Sequence, residues 1–212
     1  MDTIKITLHD GSIHSADKGA SLQAIAANLK IAPRPVAAVV DGTAVDLTMI
    51  IDHDAVISFI EASSKEGLEI YRHSTSHVMA QAVKELYPNI KVAIGPAIED
   101  GFYYDFDNES TFTPEDLVKI ESRMQEIISR NSPVHRIVTS KREAIKLFKE
   151  KHEDYKVELI DAIEDESVSL YQQGDFIDLC RGPHIASTGM IKAFKLTSIA
   201  GAYWRGDEHN KM

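Results

Sequence analysis

TIKITLHDG, residues 3–11, decides how the first part of this chain folds. Ile4, Ile6 and Leu8 alternate with Lys5 and Thr7, the period of two that puts apolar side chains on one face of a half-buried strand. Asp10-Gly11 then supplies the residues that a tight hairpin turn favours. Further out, Ser21 stands where it can cap a short helix whose Leu22, Ile25, Ala26 and Leu29 share one face at a period of 3.6. Residues 36–40 read as a strand, Asp41-Gly42 as its turn into residues 43–47, and residues 56–60 as a closing strand. The order strand, strand, helix, strand, strand, short connection, strand predicts one sheet covered by one helix. That is a β-grasp, or ubiquitin-like, unit over residues 1–62, small but workable for a single core.

Residues 61–65, with Ala62-Ser63-Ser64, predict a short polar linker into a second unit that occupies residues 63–212. A helix follows from about residue 66 or 71 to Leu86, and Pro88 prevents its extension. Residues 92–98 and 101–107 read as two strands around Glu99-Asp100-Gly101. Thr113-Pro114-Glu115-Asp116 starts another helix with its buried stripe at Leu117, Ile120, Met124 and Ile127. A strand at 134–138, a helix at 141–151 and an acidic helix at 158–164 come next. Strands are predicted at 168–172, 176–179 and 194–202, so the second unit is α+β with a mainly antiparallel sheet. The polar run of residues 202–212 reads as a tether to a further domain.

Composition narrows the function classes. The chain has 212 residues, 43% of them hydrophobic, enough for packed cores. A formal charge of -10 excludes wrapping nucleic acid by bulk electrostatics and leaves room only for local basic contacts. One cysteine excludes an internal disulfide framework and suits a reducing compartment. No apolar stretch reaches membrane-spanning length and the N-terminus does not read as a signal peptide, so a cytoplasmic protein without a membrane partner is expected.

Two motifs carry chemistry: His73-Ser-Thr-Ser-His77 and Asp178-Leu-Cys180-Arg-Gly-Pro-His184. Residues four apart on a helix share a face, so His73 and His77 can enter one cavity. Asp178 and Cys180, two apart, share a strand face, and the turn at Gly182-Pro183 can return His184 toward them. If the helix packs on the strand, a His/His/Cys/His cluster with an acidic neighbour results, a hydrolytic site with or without a metal. Read as ordinary residues, the imidazoles would be half-buried polar groups and Cys180 a small core hydrophobe. Lys141, Arg142, Lys146 and Lys149 form a basic segment, which is a solvated helix face or an RNA contact. Arg181, Lys192, Lys195 and Arg205 lie near the site motifs, and Arg181 is the candidate for a phosphate.

HSTSHVMAQAVKELYP (73–88), GPAIEDGFYYDF (95–106), DLCRGPHI (178–185) and FKLTSIAGAYWRGD (194–207) resemble the editing region of bacterial threonyl-tRNA synthetases. The first unit resembles the β-grasp (TGS) domain that precedes it in that family. The resemblance covers essentially the whole chain. It implies an aminoacyl-tRNA deacylase that removes serine from mischarged threonine tRNA, acting beside the remainder of a synthetase. The catalytic and anticodon-binding parts would lie elsewhere, so these residues alone would neither activate threonine nor use ATP. His73, His77, Cys180 and His184 match the family's four site residues, and Lys156 and Asp178 match two further polar ones. From their chemistry, Asp178 would hold the seryl ammonium, His73 would position or deprotonate water, and Lys156 would stabilise the oxyanion or hold the leaving ribose oxygen. Tyr104 would wall the pocket or fill core. Alanyl-tRNA synthetases and their free-standing relatives share the histidine and cysteine pattern and hold zinc there. The threonyl resemblance implies no cofactor, and zinc on His73, His77, Cys180 and His184 is the alternative. A non-catalytic RNA-binding module and a zinc-dependent editor of another tRNA are the competing functions.

Overall fold

The computed structural model describes all residues except 1, 109, 202, 205–208 and 210–212. The chain is α+β. The predicted first strand is β1 (Thr3–Leu8), which turns into β2 (Ile13–Asp17) and a short β3 (Ala20–Ser21). Ser21 caps α1 (Leu22–Asn28) by accepting from the Ala24 amide. β4 (Pro35–Val40), β5 (Thr43–Val45), β6 (Ile50–Ile51) and β7 (Ala55–Glu61) complete this part. Its main sheet has the order β2-β1-β7-β4-β5; β1 and β7 run parallel and the other neighbours antiparallel. The alternation read in TIKITL is realised: Ile4 and Ile6 are buried while Lys5 faces solvent. They pack with Leu22 and Ile25 of α1, each such burial contributing roughly 1.5–3 kcal/mol. Ala186, far along the chain, joins this same core.

The polar linker is only a turn. Ser64 caps α2 (Lys65–Leu86) directly, with its hydroxyl accepting from the Gly67 amide three residues after β7 ends. From Ser74 to Val83 every residue of α2 is buried, so this helix is central and has no solvated stripe alongside the site. The two predicted strands after it are broken up. β8 (Lys91–Val92) pairs with β11 (Phe106–Asp107), and β9 (Ala97–Ile98) with β10 (Gly101–Phe102). Residues 93–96 and 103–105 bow out between the two ladders, still tied by bonds from Ala93 N–H to Asp105 O and from Asp105 N–H to Ile94 O. That bow carries Gly95 and Tyr104 to α2.

α3 (Pro114–Arg130) begins with the predicted proline and a reciprocal Thr113–Asp116 capping box, and lays Ile120, Met124 and Ile127 against α2. β12 (Val134–Ser140) leads into α4 (Lys141–Glu150). α5 (Asp154–Asp161) starts four residues earlier than the acidic stretch suggested, and so includes Lys156. β13 (Ser167–Gln173) and β14 (Phe176–Leu179) close an antiparallel sheet of order β12-β13-β14. The strand predicted at 194–202 does not form among the described residues. That segment has no strand partner and is tethered by side chains, with Lys195 Nζ and the Leu196 amide both on Glu121 of α3 at 2.7 Å. Most of the predicted tether at 202–212 and Arg205 lie outside the described residues. Among the described residues no helix is long and apolar enough to cross a membrane.

Candidate functional site

The two motifs meet. α2 presents His73 and His77 from successive turns, and the segment after β14 returns Cys180 and His184 to them. One donor atom from each of the four lies within 4.8 Å of all the others. The ring centroids of His73, His77 and His184 are 4.4 to 5.0 Å apart. Cys180 Sγ sits 3.2 Å from His184 Nε2 and 3.5 Å from His73 Nε2. The return of His184 depends on Gly182, whose φ of +75° is a left-handed conformation and whose missing Cβ would stand 1.8 Å from the Tyr171 hydroxyl oxygen.

Asp178, on β14, lies beside this cluster and is 1% exposed. Its Oδ1 contacts Lys156 Nζ at 2.5 Å and accepts the Leu179 amide at 2.8 Å. Its Oδ2 accepts the Tyr104 hydroxyl at 2.5 Å and lies 3.7 Å from His77 Nδ1. Lys156, 2% exposed, also donates to the Tyr104 oxygen at 2.8 Å. A carboxylate has about four acceptor positions. Three are taken, which leaves one on Oδ2 beside His77. Among the described residues two of the three ammonium hydrogens of Lys156 are committed, to Tyr104 and Asp178, and one is not.

Burial sets the protonation states. It drives His77 and His184 well below the ordinary imidazole value, helped by the neighbouring rings and, for His77, by Lys156. His73 is lowered by burial too, with Asp178 pulling the other way. The Cys180 thiol is pushed up to about 12 by burial, against the Gly182 amide that favours the thiolate. At neutral pH the cluster is therefore three neutral imidazoles and an intact thiol, a poor nucleophile. Tyr104 is held well above its usual range, again by burial and then by Asp178, so it remains a donor.

A cavity of about 240 Å³ opens on these groups, lined by His73, His77, Gly95, Tyr104, Lys156 and Asp178 among others. A larger groove of about 530 Å³ runs between the β4–β5 hairpin and β12 and contains none of the four clustered donors.

All six predicted site residues thus converge, and Tyr104 proves to be both wall and hydrogen-bond partner. Arg181 is exposed next to them. The basic segment is not one surface feature: Lys141 donates to the Asp161 and Ile163 carbonyls at the end of α5, and Lys146 pairs with Glu150. Lys192 contacts the Gly189 carbonyl and Lys195 contacts Glu121, so neither is directed at the cavity.

Three supporting residues escaped the sequence reading. Asp46, just past β5, accepts the His184 amide and the Tyr171 hydroxyl, both at 2.7 Å. The only hint is an aspartate inside a stretch read as strand. Glu153 is buried, receives Lys84 at 2.6 Å and the Val92 amide at 3.0 Å, and its carbonyl accepts the Lys156 amide. Ser74, inside the first motif, lies 3.0 Å from His184 Nδ1.

The same segments are shared with known proteins. A family described as "Threonyl and Alanyl tRNA synthetase second additional domain" matches residues 168–212, which include β14, Cys180 and His184. The threonine–tRNA ligase of Pelobacter propionicus is 52% identical over 214 aligned residues covering 100% of this chain and 34% of the relative. Over its whole length the chain is homologous to threonine–tRNA ligases. The ligase of Geobacter sp. strain M21 is 53% identical over 100% of the chain, and that of Acetivibrio thermocellus 50% over 99%. The chain spans about a third of the length of these curated relatives.

Proposed function

We propose that this chain is the editing part of a threonyl-tRNA synthetase, hydrolysing the ester between serine and the terminal adenosine of threonine tRNA. The observation that carries the reading is the convergence of neutral imidazoles, a buried Lys156–Asp178 pair and an open cavity on one spot in a relative of threonine–tRNA ligases. Residues 1–62 would be the β-grasp (TGS) unit, for which the mixed sheet order and single covering helix speak. Residues 63–212 would be the deacylase. The partners would be the acceptor end of threonine tRNA and the remainder of a cytoplasmic synthetase.

The need follows from binding physics. Serine differs from threonine by one methyl group, which a synthetic pocket distinguishes by only about 1–3 kcal/mol. A second pocket that rejects the larger side chain sterically removes the resulting errors.

In this reading His73, neutral at physiological pH, takes a proton from the attacking water. The uncommitted Lys156 hydrogen faces charge building on the carbonyl oxygen. The remaining acceptor position on Asp178 Oδ2 receives the seryl ammonium. Cys180, held as a thiol, organises the imidazoles and does not attack.

The donor set of three imidazoles and a thiol fits zinc. His73, His77, Cys180 and His184 would hold it, and when bound zinc supplies a Lewis acid that acidifies water. Four protein ligands, however, complete a tetrahedron and leave no position for that water. Both ring nitrogens of His184 already have partners in Ser74 and Cys180, and His73 Nε2 meets Cys180, so these nitrogens need no ion for satisfaction. We therefore read the site as acting without a metal.

The test is deacylation of seryl- and threonyl-tRNA(Thr) by the purified chain. Faster release of serine is expected. Equal rates, or none at saturating protein, would refute the assignment; binding without cleavage would favour an RNA-binding module.

A further inference from the structure

We propose that the Ser74 hydroxyl fixes His184 as the Nδ1–H tautomer, turning its Nε2 lone pair onto the Cys180 thiol. The assignment follows from counting hydrogens. Ser74 Oγ has three neighbours: the Ile70 carbonyl oxygen at 2.8 Å, His184 Nδ1 at 3.0 Å and the Ile185 amide nitrogen at 3.1 Å. A hydroxyl offers one hydrogen and two lone pairs. The Ile185 amide can only donate and takes one lone pair. The Ile70 carbonyl can only accept and takes the hydrogen. The second lone pair is what remains for His184, so Nδ1 carries the proton and donates.

Neutral imidazole has one N–H, so Nε2 of His184 is then bare. It faces Cys180 Sγ at 3.2 Å, and the thiol hydrogen is directed to it. The sulfur accepts the Gly182 amide at 3.3 Å and meets His73 Nε2 at 3.5 Å. With its own hydrogen given to His184, the sulfur meets His73 as an acceptor. His73 is therefore the Nε2–H tautomer, with its lone pair on Nδ1. The donors run in one direction, from His73 to Cys180, to His184, to Ser74, to the Ile70 carbonyl. A serine in the helix interior thus decides which nitrogen of an imidazole in another part of the site is basic. The neighbouring hydroxyls of α2 are engaged elsewhere: Thr75 donates to the Tyr71 carbonyl, and Ser76 lies within hydrogen-bond distance of the His73 and Gly95 carbonyls. The tautomers stand apart from any reaction; their catalytic consequence rests on the deacylase reading.

The experiment is long-range proton–nitrogen correlation NMR on the full chain labelled with [15N]histidine, the signals assigned by His73→Asn and His184→Asn. His184 should be protonated at Nδ1 and His73 at Nε2. Ser74→Ala should release His184 into the other tautomer or a mixture, and Ser74→Thr, which keeps a hydroxyl, should retain the parent pattern. A parent His184 protonated at Nε2, or an unchanged pattern in folded Ser74→Ala, overturns the proposal. Should Ser74→Ala fail to fold by circular dichroism, the parent pattern and Ser74→Thr decide it in the same way. In deacylation, Ser74→Ala should lower kcat with KM unchanged, by roughly the 10–100-fold that losing the orienting partner of a metal-bound histidine costs, and Ser74→Thr should restore it. An unchanged kcat beside a shifted tautomer would remove Ser74 as a positioning residue. If the parent does not deacylate yet shows these tautomers, the deacylase reading fails and the tautomer assignment stands.

Discussion

Asp178→Asn takes one charge and almost no volume from the centre of the site. The partner it abandons is Lys156, 2.5 Å away and equally enclosed, with side-chain exposures of 3% and 1%. Removing one member of such a pair leaves a buried charge uncompensated and costs about 3–5 kcal/mol. A domain is stabilised by only about 5–15 kcal/mol in total, so the loss is large but survivable. At a urea m-value near the top of the usual range it moves the midpoint down by roughly 1–2 M. Lys156→Met should destabilise for the mirror reason, by exposing Asp178 to a site without its cation. The double variant removes both charges, and should be more stable than the sum of the single effects by about 2–3 kcal/mol. Urea unfolding of the four proteins at neutral pH measures this coupling. Where Asp178→Asn remains folded, single-turnover release of serine should fall by about a hundredfold or more, since nearly 3 kcal/mol of transition-state stabilisation is removed. Additive effects, or a midpoint within the error of the parent, would show that Lys156 and Asp178 are not energetically coupled and would refute the argument.

Gly95→Ala would place a Cβ 2.0 Å from the Tyr104 ring, so the ring must shift from Asp178; a stability loss of about 1–3 kcal/mol and slower deacylation are expected by melting and single-turnover assays. Because burial lowers His77 and His184, the folded chain binds fewer protons than the unfolded one below an unfolded imidazole pKa of about 6.5. Stability should therefore be insensitive to these groups above that pH and decline as pH falls below it, and a decline on the alkaline side of it would contradict the neutral burial. Arg181→Ala should weaken tRNA binding and lower its salt slope by about 1 while leaving the rate at saturation intact, as titrations at several salt concentrations would show. Exhaustive chelation should leave deacylation unchanged, with elemental analysis well below one metal per chain; stoichiometric zinc and chelator-sensitive activity would reverse that reading.

Local chemistry made much of this protein legible. The strand alternation of Ile4 and Ile6, the Ser21 cap and the Thr113–Asp116 box depend on neighbours within a few residues, and each formed as read. The same holds for the spacing of His73 and His77, because a helix fixes which residues share a face whatever it packs against. Failures came where a segment needed a distant partner. Residues 194–201 look strand-like, yet no strand edge is offered to them and Glu121 holds them by side chain. The 92–107 hairpin is interrupted because its middle serves Tyr104 and Gly95 at the site. Sequence spacing assembled His73, His77, Asp178, Cys180 and His184, and Lys156 entered only through the family resemblance; neither gave their division of labour. That Lys156 and Asp178 bind each other, that Asp46 reaches the His184 amide across 138 positions, and that Ser74 rather than Ser76 meets His184 are facts of packing. Hydrogen bonds and buried charges are satisfied by whatever the folded chain brings within about 3 Å, and three-dimensional proximity of that kind has no period in the sequence.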